Sequence, residues 1–533
     1  MSGKAKHVDR GAATEGLQVA TAPDTMDVGI VTEWSLAVGY TERVHTIVVS
    51  DLHLSEAQEL DPKRPLWMAY KRPEHFIDED FARFLEHLEA EAEGPIELVL
   101  NGDVFDFDNV IQLPDEPEGT VDWLARARGL GSEEWMSRFK IERIIEDHPV
   151  WFGALRDFIA RGHRAVFVIG NHDLELHWPG VQRRLREALG VDDDDEALVF
   201  CAWFYLSGDD TFITHGHQYD PMCAVPDAID PLIEVHGRPR VRIAFGDLAE
   251  RYMLNGMGYF NPHATGNYIM SLWAYVKFFF RYMVRTQPFL LWSWFWSAIV
   301  TMVVSLRDHL RPPMRDPLLV EEKVAAIAKR SRATPRMVRQ LAALSEPPAS
   351  ASHPMAIIRE LWLDRAFLLA GVLGLAWQVV LHINFAWPIS PLWVFAALAV
   401  LLPPYVIYAA RVKSGVFSKP LLDARRAELI HEITGAETVI MGHTHEPVDE
   451  PVGPVHYING GFWPPAFDSP ECNQRIGTQS FVWVRPTTSG SREATLFEWS
   501  PGAEAPAPYL LPTAKPKRKR TSRTPPRLRP ESA

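Results

Sequence analysis

The chain has 533 residues and a formal net charge of −14, with 68 acidic against 54 basic residues. That length accommodates more than one domain with its own core, and the acidic balance argues against a general nucleic-acid binder. Three scattered cysteines, Cys201, Cys223 and Cys472, lack any CxxC spacing, which argues against a disulfide framework or thiolate zinc site and fits a reducing compartment.

Residues 1–42 show no periodicity and are expected to form a flexible segment, without the charged start and apolar core of a secretory signal. A first domain part is expected over 43–235. Its β-branched run at 45–50 predicts a buried strand. Phe76, Ile77, Phe81, Phe84, Leu85 and Leu88 recur at helical spacing, and 97–100 reads as the next strand. Beyond an acidic stretch at 115–119, a helix is predicted over 151–160 and a strand over 165–169. This alternation implies a largely parallel sheet with right-handed crossovers. Runs at 198–206 and 211–214 flank Ser207-Gly208-Asp209-Asp210, a hairpin turn, so the sheet is expected to be mixed.

Residues 236–418 break the pattern and predict a helical insertion. Residues 269–283 are aromatic-rich but carry Lys277 and Arg281, whereas 288–306, 366–387 and 391–410 contain no Asp, Glu, Lys or Arg. Each of these three runs has about the twenty residues that cross a hydrocarbon core. Core helices of a second soluble domain would be shorter and carry a polar stripe. Soluble pattern on both sides demands an even number of crossings. The simplest solution is one hairpin of 366–387 and 391–410, with 269–306 in the interface or forming its own hairpin. Basic residues from Arg307 to Arg339, then Arg411 and Lys413, are expected to keep the flanking soluble parts in the cytoplasm by the positive-inside rule. Membrane transport is disfavoured, because His382 is almost the sole ionisable group in these runs. A second domain part is expected over 419–500, with a helix to about 433 and strands near 438–441, 455–458, 480–484 and 494–499. Residues 501–533 read as a disordered Pro-rich tail with eight Lys or Arg between Lys515 and Arg529, either solvated or drawn to anionic lipid.

Five apolar runs end alike. They deliver Asp51-Leu52-His53, Asn101-Gly102-Asp103, Gly170-Asn171-His172-Asp173, His215-Gly216-His217 and Gly442-His443-Thr444-His445. Gly442 is expected to give the last block its freedom to turn. Asp, Asn and His gathered at the carboxyl ends of strands make a metal site where α/β sheets bind ligands. Oxygen and imidazole donors suit Mn, Fe, Zn or Mg. There are too many for one ion, and a carboxylate at Asp103 can bridge two held about 3.5–4 Å apart.

In order and spacing, these blocks resemble the calcineurin-like metallophosphoesterase superfamily over about 45–230 and 420–500. The resemblance implies an α/β fold, a four-layer α/β/β/α sandwich with mixed central sheets, here interrupted by the helical insertion. It implies that Asp51, His53 and His445 hold one divalent metal and Asn171, His215 and His443 another, with Asp103 bridging and manganese favoured. His172 would be a catalytic non-ligand that protonates the leaving group or stabilises phosphoryl charge. Asp106 matches the second Asp of the family's GDxxD block, but Phe107 stands where an Arg usually follows, which removes an Arg-based phosphate contact. His217 meets substrate, packs behind His215 or faces solvent; Asp173 closes its loop or orients His172. His163 and His177 read as surface or helix-end residues, and Asp192–Asp195 as a solvated loop. The implied reaction is hydrolysis of a phosphodiester, phosphomonoester or pyrophosphate by a metal-bound hydroxide. The insertion points to a membrane partner and a lipid-linked substrate, although family members acting on such a lipid usually carry Arg where His172 stands. The alternative is a membrane scaffold or sensor with a silent metal site, which loss of the bridging Asp or of His172 would mark; both residues are present.

Overall fold

A computed structural model describes residues 44–509 apart from 265–269, 286–288, 313, 315–318, 417–419, 489 and 501–505. The N-terminal segment and the basic stretch 515–529 therefore lie outside the described residues. The first part of the chain forms β1 (His45–Val49), α1 (Asp78–Glu91), β2 (Ile96–Asn101), α2 (Glu134–Asp147), α3 (Pro149–Ala160), β3 (Arg164–Val168), α4 (Pro179–Leu189), β4 (Leu198–Cys201), β5 (Phe204–Ser207) and β6 (Thr211–Thr214). A small hairpin, β7 (Leu232–Val235) and β8 (Arg238–Val241), precedes the helical region. There the main helices are α5 (Phe245–Ala249), α6 (Leu290–Leu310), α7 (Val320–Arg330), α8 (Pro335–Ala342), α9 (Leu363–Ala386) and α10 (Trp393–Arg411). The chain closes with α11 (Ala424–Thr434), β9 (Thr438–Met441), β10 (Val448–Val452), β11 (Val455–Asn459), β12 (Gln479–Pro486), β13 (Arg492–Trp499) and β14 (Ala507–Pro508).

Two mixed sheets lie at the centre, a seven-stranded one in the order β14-β13-β12-β1-β2-β3-β4 and a five-stranded one in the order β10-β11-β9-β6-β5. Strands β1 to β4 run parallel, as the alternation implied. Their side chains divide by parity. Ile47, Val49, Leu98, Leu100 and Phe167 join a core with Phe81, Phe84, Trp151 and Leu185 of the covering helices. Val48, Val99, Val166 and Val168 face Ile213, Ile440 and Ile458 of the second sheet. Burial on both faces is why these strands read as unbroken apolar runs.

The fourth layer comes from two places. Ala427 and Ile430 of α11 share a core with Val324 and Ala328 of α7 and Val338 and Leu341 of α8. Part of the insertion is therefore built into the sandwich. The expected strand over 198–206 is broken in two. The chain leaves the first sheet at Cys201 and enters the second at Phe204, with the Trp203 carbonyl accepting a hydrogen bond from Thr214 Oγ1 at 2.7 Å. Both halves are buried, so hydropathy shows no break.

Among the described residues, three helices are long and apolar enough to cross a membrane: α6, α9 and α10. Helix α6 buries Ser297, Ala298, Thr301, Ser305 and Asp308; Ala298 packs with Phe245, Ile357 and Leu363, and Arg240 and Arg311 pair with Asp308. Helices α9 and α10 expose large apolar side chains along their lengths, including Phe367, Leu375, Phe385, Phe395 and Val400. Pro403 and Pro404 lie inside α10 without ending it.

A buried ion pair ties together the two loops nearest the strand ends. Lys71 Nζ lies 3.2 Å from Glu56 Oε1 and donates to the Asn109 carbonyl at 2.6 Å, while Glu56 also accepts the Ile111 and Gln112 N–H groups. Removing one partner strands a buried charge. Lys71→Met is expected to cost about 3–5 kcal/mol, read as an earlier urea midpoint in tryptophan fluorescence, and Lys71→Met with Glu56→Gln should recover part of the loss.

Candidate metal centre

The five loops meet at the carboxyl ends of β1, β2, β3, β6 and β9 in a strained conformation. Asp51, His53, Asp103, His443 and His445 all have positive φ, between 51° and 71°. Non-glycine residues there cost of order 1–3 kcal/mol each and persist where the surroundings impose them. Gly442 does not share this geometry, contrary to the expectation that it supplies the turn. Its requirement is space, since a Cβ would lie 2.5 Å from Asp51 Oδ2. At Gly170 a Cβ would lie 2.3 Å from Asp103 Oδ1.

Backbone amides fix the carboxylates. Asp51 accepts the His443 N–H at 3.1 and 3.2 Å, and Asp103 Oδ1 accepts the His172 N–H at 2.8 Å. Asp173 is fully buried and accepts the N–H groups of Gly170 and Val104, at 2.6 and 2.9 Å. Burial and the neighbouring Asp103 push its carboxyl up to about 7.

Among the described residues six overlapping groups of donors result, and two of them carry the expected ligands. Asp51, His53 and His445 form one and Asp103, His215 and His443 the other, with the donor atoms of each within 4.8 Å of one another. His445 Nε2 lies 3.2 Å from both His53 Nε2 and Asp51 Oδ1. His215 Nε2 lies 3.0 Å from Asp103 Oδ2, while its Nδ1–H donates to the Asn101 carbonyl at 2.9 Å. That bond leaves Nε2 as the nitrogen available to a metal ion. Burial disfavours charge on His215, yet Asp103 and Asp51 lift its pKa to about 9; a field that attracts a proton there also attracts a metal ion. Burial, together with the nearby imidazoles of His263 and His172, holds His53 well below the usual histidine range, the neutral form a metal requires. The Asn171 carbonyl oxygen is buried without a hydrogen-bond partner. This set of oxygen and imidazole donors fits divalent cations.

His172 lies beside both clusters, grouped with His53 and Asp103, its side chain 15% exposed. Carboxylates surround it. Nδ1 is 3.5 Å from Asp106 Oδ1 and 3.6 Å from Glu250 Oε2, and Nε2 is 3.5 Å from Asp247 Oδ1. Burial opposes protonation, but Asp103, Asp247 and Glu250 prevail and raise its pKa well above the ordinary value.

His217 is fully buried beside His215, with ring centroids 5.6 Å apart, and does not face solvent. His177 is half-buried; burial, with Lys323 and Arg330 nearby, lowers it to about 4. His163 accepts the Ile96 N–H at 3.1 Å, away from the site. Cys223 does approach Asp220 and His443, but burial and the surrounding carboxylates push its thiol well up.

Four residues of the site escaped sequence reasoning. Asp220 Oδ2 lies 3.1 Å from His443 Nε2 and orients that ring; its signal is a lone Asp five residues after His215. Asp247, Glu250 and His263 come from the start of the helical insertion. His263 lies against His53, its ring tilted by 32° with centroids 4.1 Å apart, and 3.5 Å from Asp106. No spacing motif marks these three.

Residues 44–243 match the family model of the calcineurin-like phosphoesterases. The chain therefore carries a domain of that superfamily, as the order of its polar blocks implied, and its fold has the expected mixed α/β organisation. No curated protein matches the chain. Asp247, Glu250, His263, His443 and His445 all lie beyond the matched span. Gly170→Ala would force Asp103 from its place and is expected to weaken divalent-metal binding about tenfold or more while far-UV circular dichroism stays unchanged, as metal analysis after dialysis would register.

Proposed function

We propose that this protein is a membrane-attached phosphoester hydrolase that uses two divalent metal ions, with manganese favoured, on a phosphodiester, phosphomonoester or pyrophosphate. The observation that carries the reading is the pair of adjoining His and Asp clusters beside His172. Asp51, His53 and His445 would hold one ion, Asn171, His215 and His443 the other, and Asp103 would bridge. When bound, such a pair polarises the phosphoryl group and acidifies the attacking water. His172, whose pKa the surrounding carboxylates raise, would be the proton source for the leaving oxygen, a role that contributes roughly 10²–10⁴-fold. Asp106 steadies the Nδ1 side of that ring.

Three apolar helices support membrane attachment. Helices α9 and α10 form the crossing hairpin, and α6 lies in the interface with its small and polar stripe on the sandwich. The sandwich and the basic residues near the helix ends face the cytoplasm. A lipid-linked phosphate or pyrophosphate fits this placement, because α6 packs on the segment that carries Asp247 and Glu250.

The test uses detergent-purified protein, stripped of metal and reloaded with Mn²⁺, on an aryl phosphodiester, an aryl phosphomonoester and a lipid pyrophosphate. Metal-dependent turnover is expected on at least one. Asp103→Asn should abolish it, and His172→Ala should lower kcat about 10²–10⁴-fold. Uptake of two ions without turnover on any substrate would sink the enzyme reading in favour of a scaffold.

A further inference from the structure

An amide ligand carries an ambiguity that a carboxylate ligand lacks. Asn171 binds a cation only through its carbonyl oxygen; turned by half a rotation, it would point two N–H donors at the ion instead. Something must hold it. Asp247 lies directly behind, with its Oδ1 accepting from Asn171 Nδ2 at 2.8 Å. Oδ1 accepts whether or not the buried carboxyl carries a proton on its other, unpartnered oxygen Oδ2, so Asp247 takes the NH₂ end and leaves the amide oxygen available. In keeping with this, Asn171 Oδ1 is buried and has no hydrogen-bond partner.

Asp247 is itself fully buried and firmly placed. It sits in α5, whose Gly246 and Leu248 N–H groups donate to the carbonyls of Met222 and Ala244, at 2.9 and 3.1 Å. Its Oδ1 also lies 3.5 Å from His172 Nε2, so one carboxylate addresses two consecutive residues of the loop. This residue is four positions beyond the span matched by the family model.

We propose that Asp247 is a positioning residue that locks the Asn171 amide with its carbonyl oxygen toward the second metal ion. The proposal rests on the two-metal reading of the site, and the two can fail separately. The lock works by hydrogen-bond polarity, so it is open to reversal. In Asp247→Asn the facing amide can donate or accept, and the preference is lost. In the exchanged pair Asn171→Asp with Asp247→Asn, the NH₂ group at 247 donates to a carboxylate at 171, whose other oxygen faces the ion.

Mn²⁺ binding to full-length, detergent-purified apoprotein, followed by electron paramagnetic resonance and metal analysis, tests this. Wild type is expected to take up two ions with an exchange-coupled signal. Asp247→Asn should weaken the second ion about 10–100-fold and leave the first within twofold, with an unchanged melting temperature of the apoprotein. The exchanged pair should regain the second ion and the coupled signal. Unchanged second-ion affinity in Asp247→Asn overturns the proposal, as does a loss that the exchanged pair fails to recover. Wild type that binds no second ion overturns the two-metal reading and the proposal together.

Discussion

Buried carboxylates must be satisfied, and here the means of satisfying them is also what builds the site. An ionised group taken from water costs several kcal/mol unless donors surround it. Asp51 finds its donor on the His443 loop, Asp103 on the His172 loop, and Asp173 bridges the Gly170 and Val104 amides. Three of the five loops thus have an amide held by an acid from another. The left-handed backbone at five donor positions is tolerable because the loops constrain one another, and no single loop would keep that shape alone.

Much of this was legible. Parity on β1 to β3 and the five polar strand ends are local patterns, so they survive in one dimension. The break between β4 and β5 was hidden, because hydropathy reports burial and not which sheet buries a strand. Asp247 and Glu250 were hidden for a different reason. Their role depends on a fold of the chain that brings α5 over the His172 loop, and an acid near apolar residues carries no spacing signal. Gly442 was noticed for the wrong property, since a contact with Asp51 is invisible without the partner strand.

The insertion is thus no appendage. One stretch of it, α7 and α8, covers the second sheet; another, from α5 to His263, closes over the donor clusters with two acids and an imidazole. The three long apolar helices are connected to the same stretches. Helix α6 packs on α5 and the turn after it, and its Ser297 Oγ accepts a hydrogen bond from Arg128 at 3.4 Å.

The split of the sandwich across the insertion has a consequence for biosynthesis. Strand β6 pairs in parallel with β9, with Thr211 opposite Thr438 and Ile213 opposite Ile440. These partners leave the ribosome 227 residues apart, an interval of about 11–45 s at roughly 5–20 residues per second. Throughout that time β6 has an open edge, the kind of surface that recruits stray strands. His443 and His445 arrive only afterwards. The donor clusters therefore cannot be completed on a nascent chain until every apolar helix has been made, so the site matures last and only on a chain that has kept its edge strand unpaired.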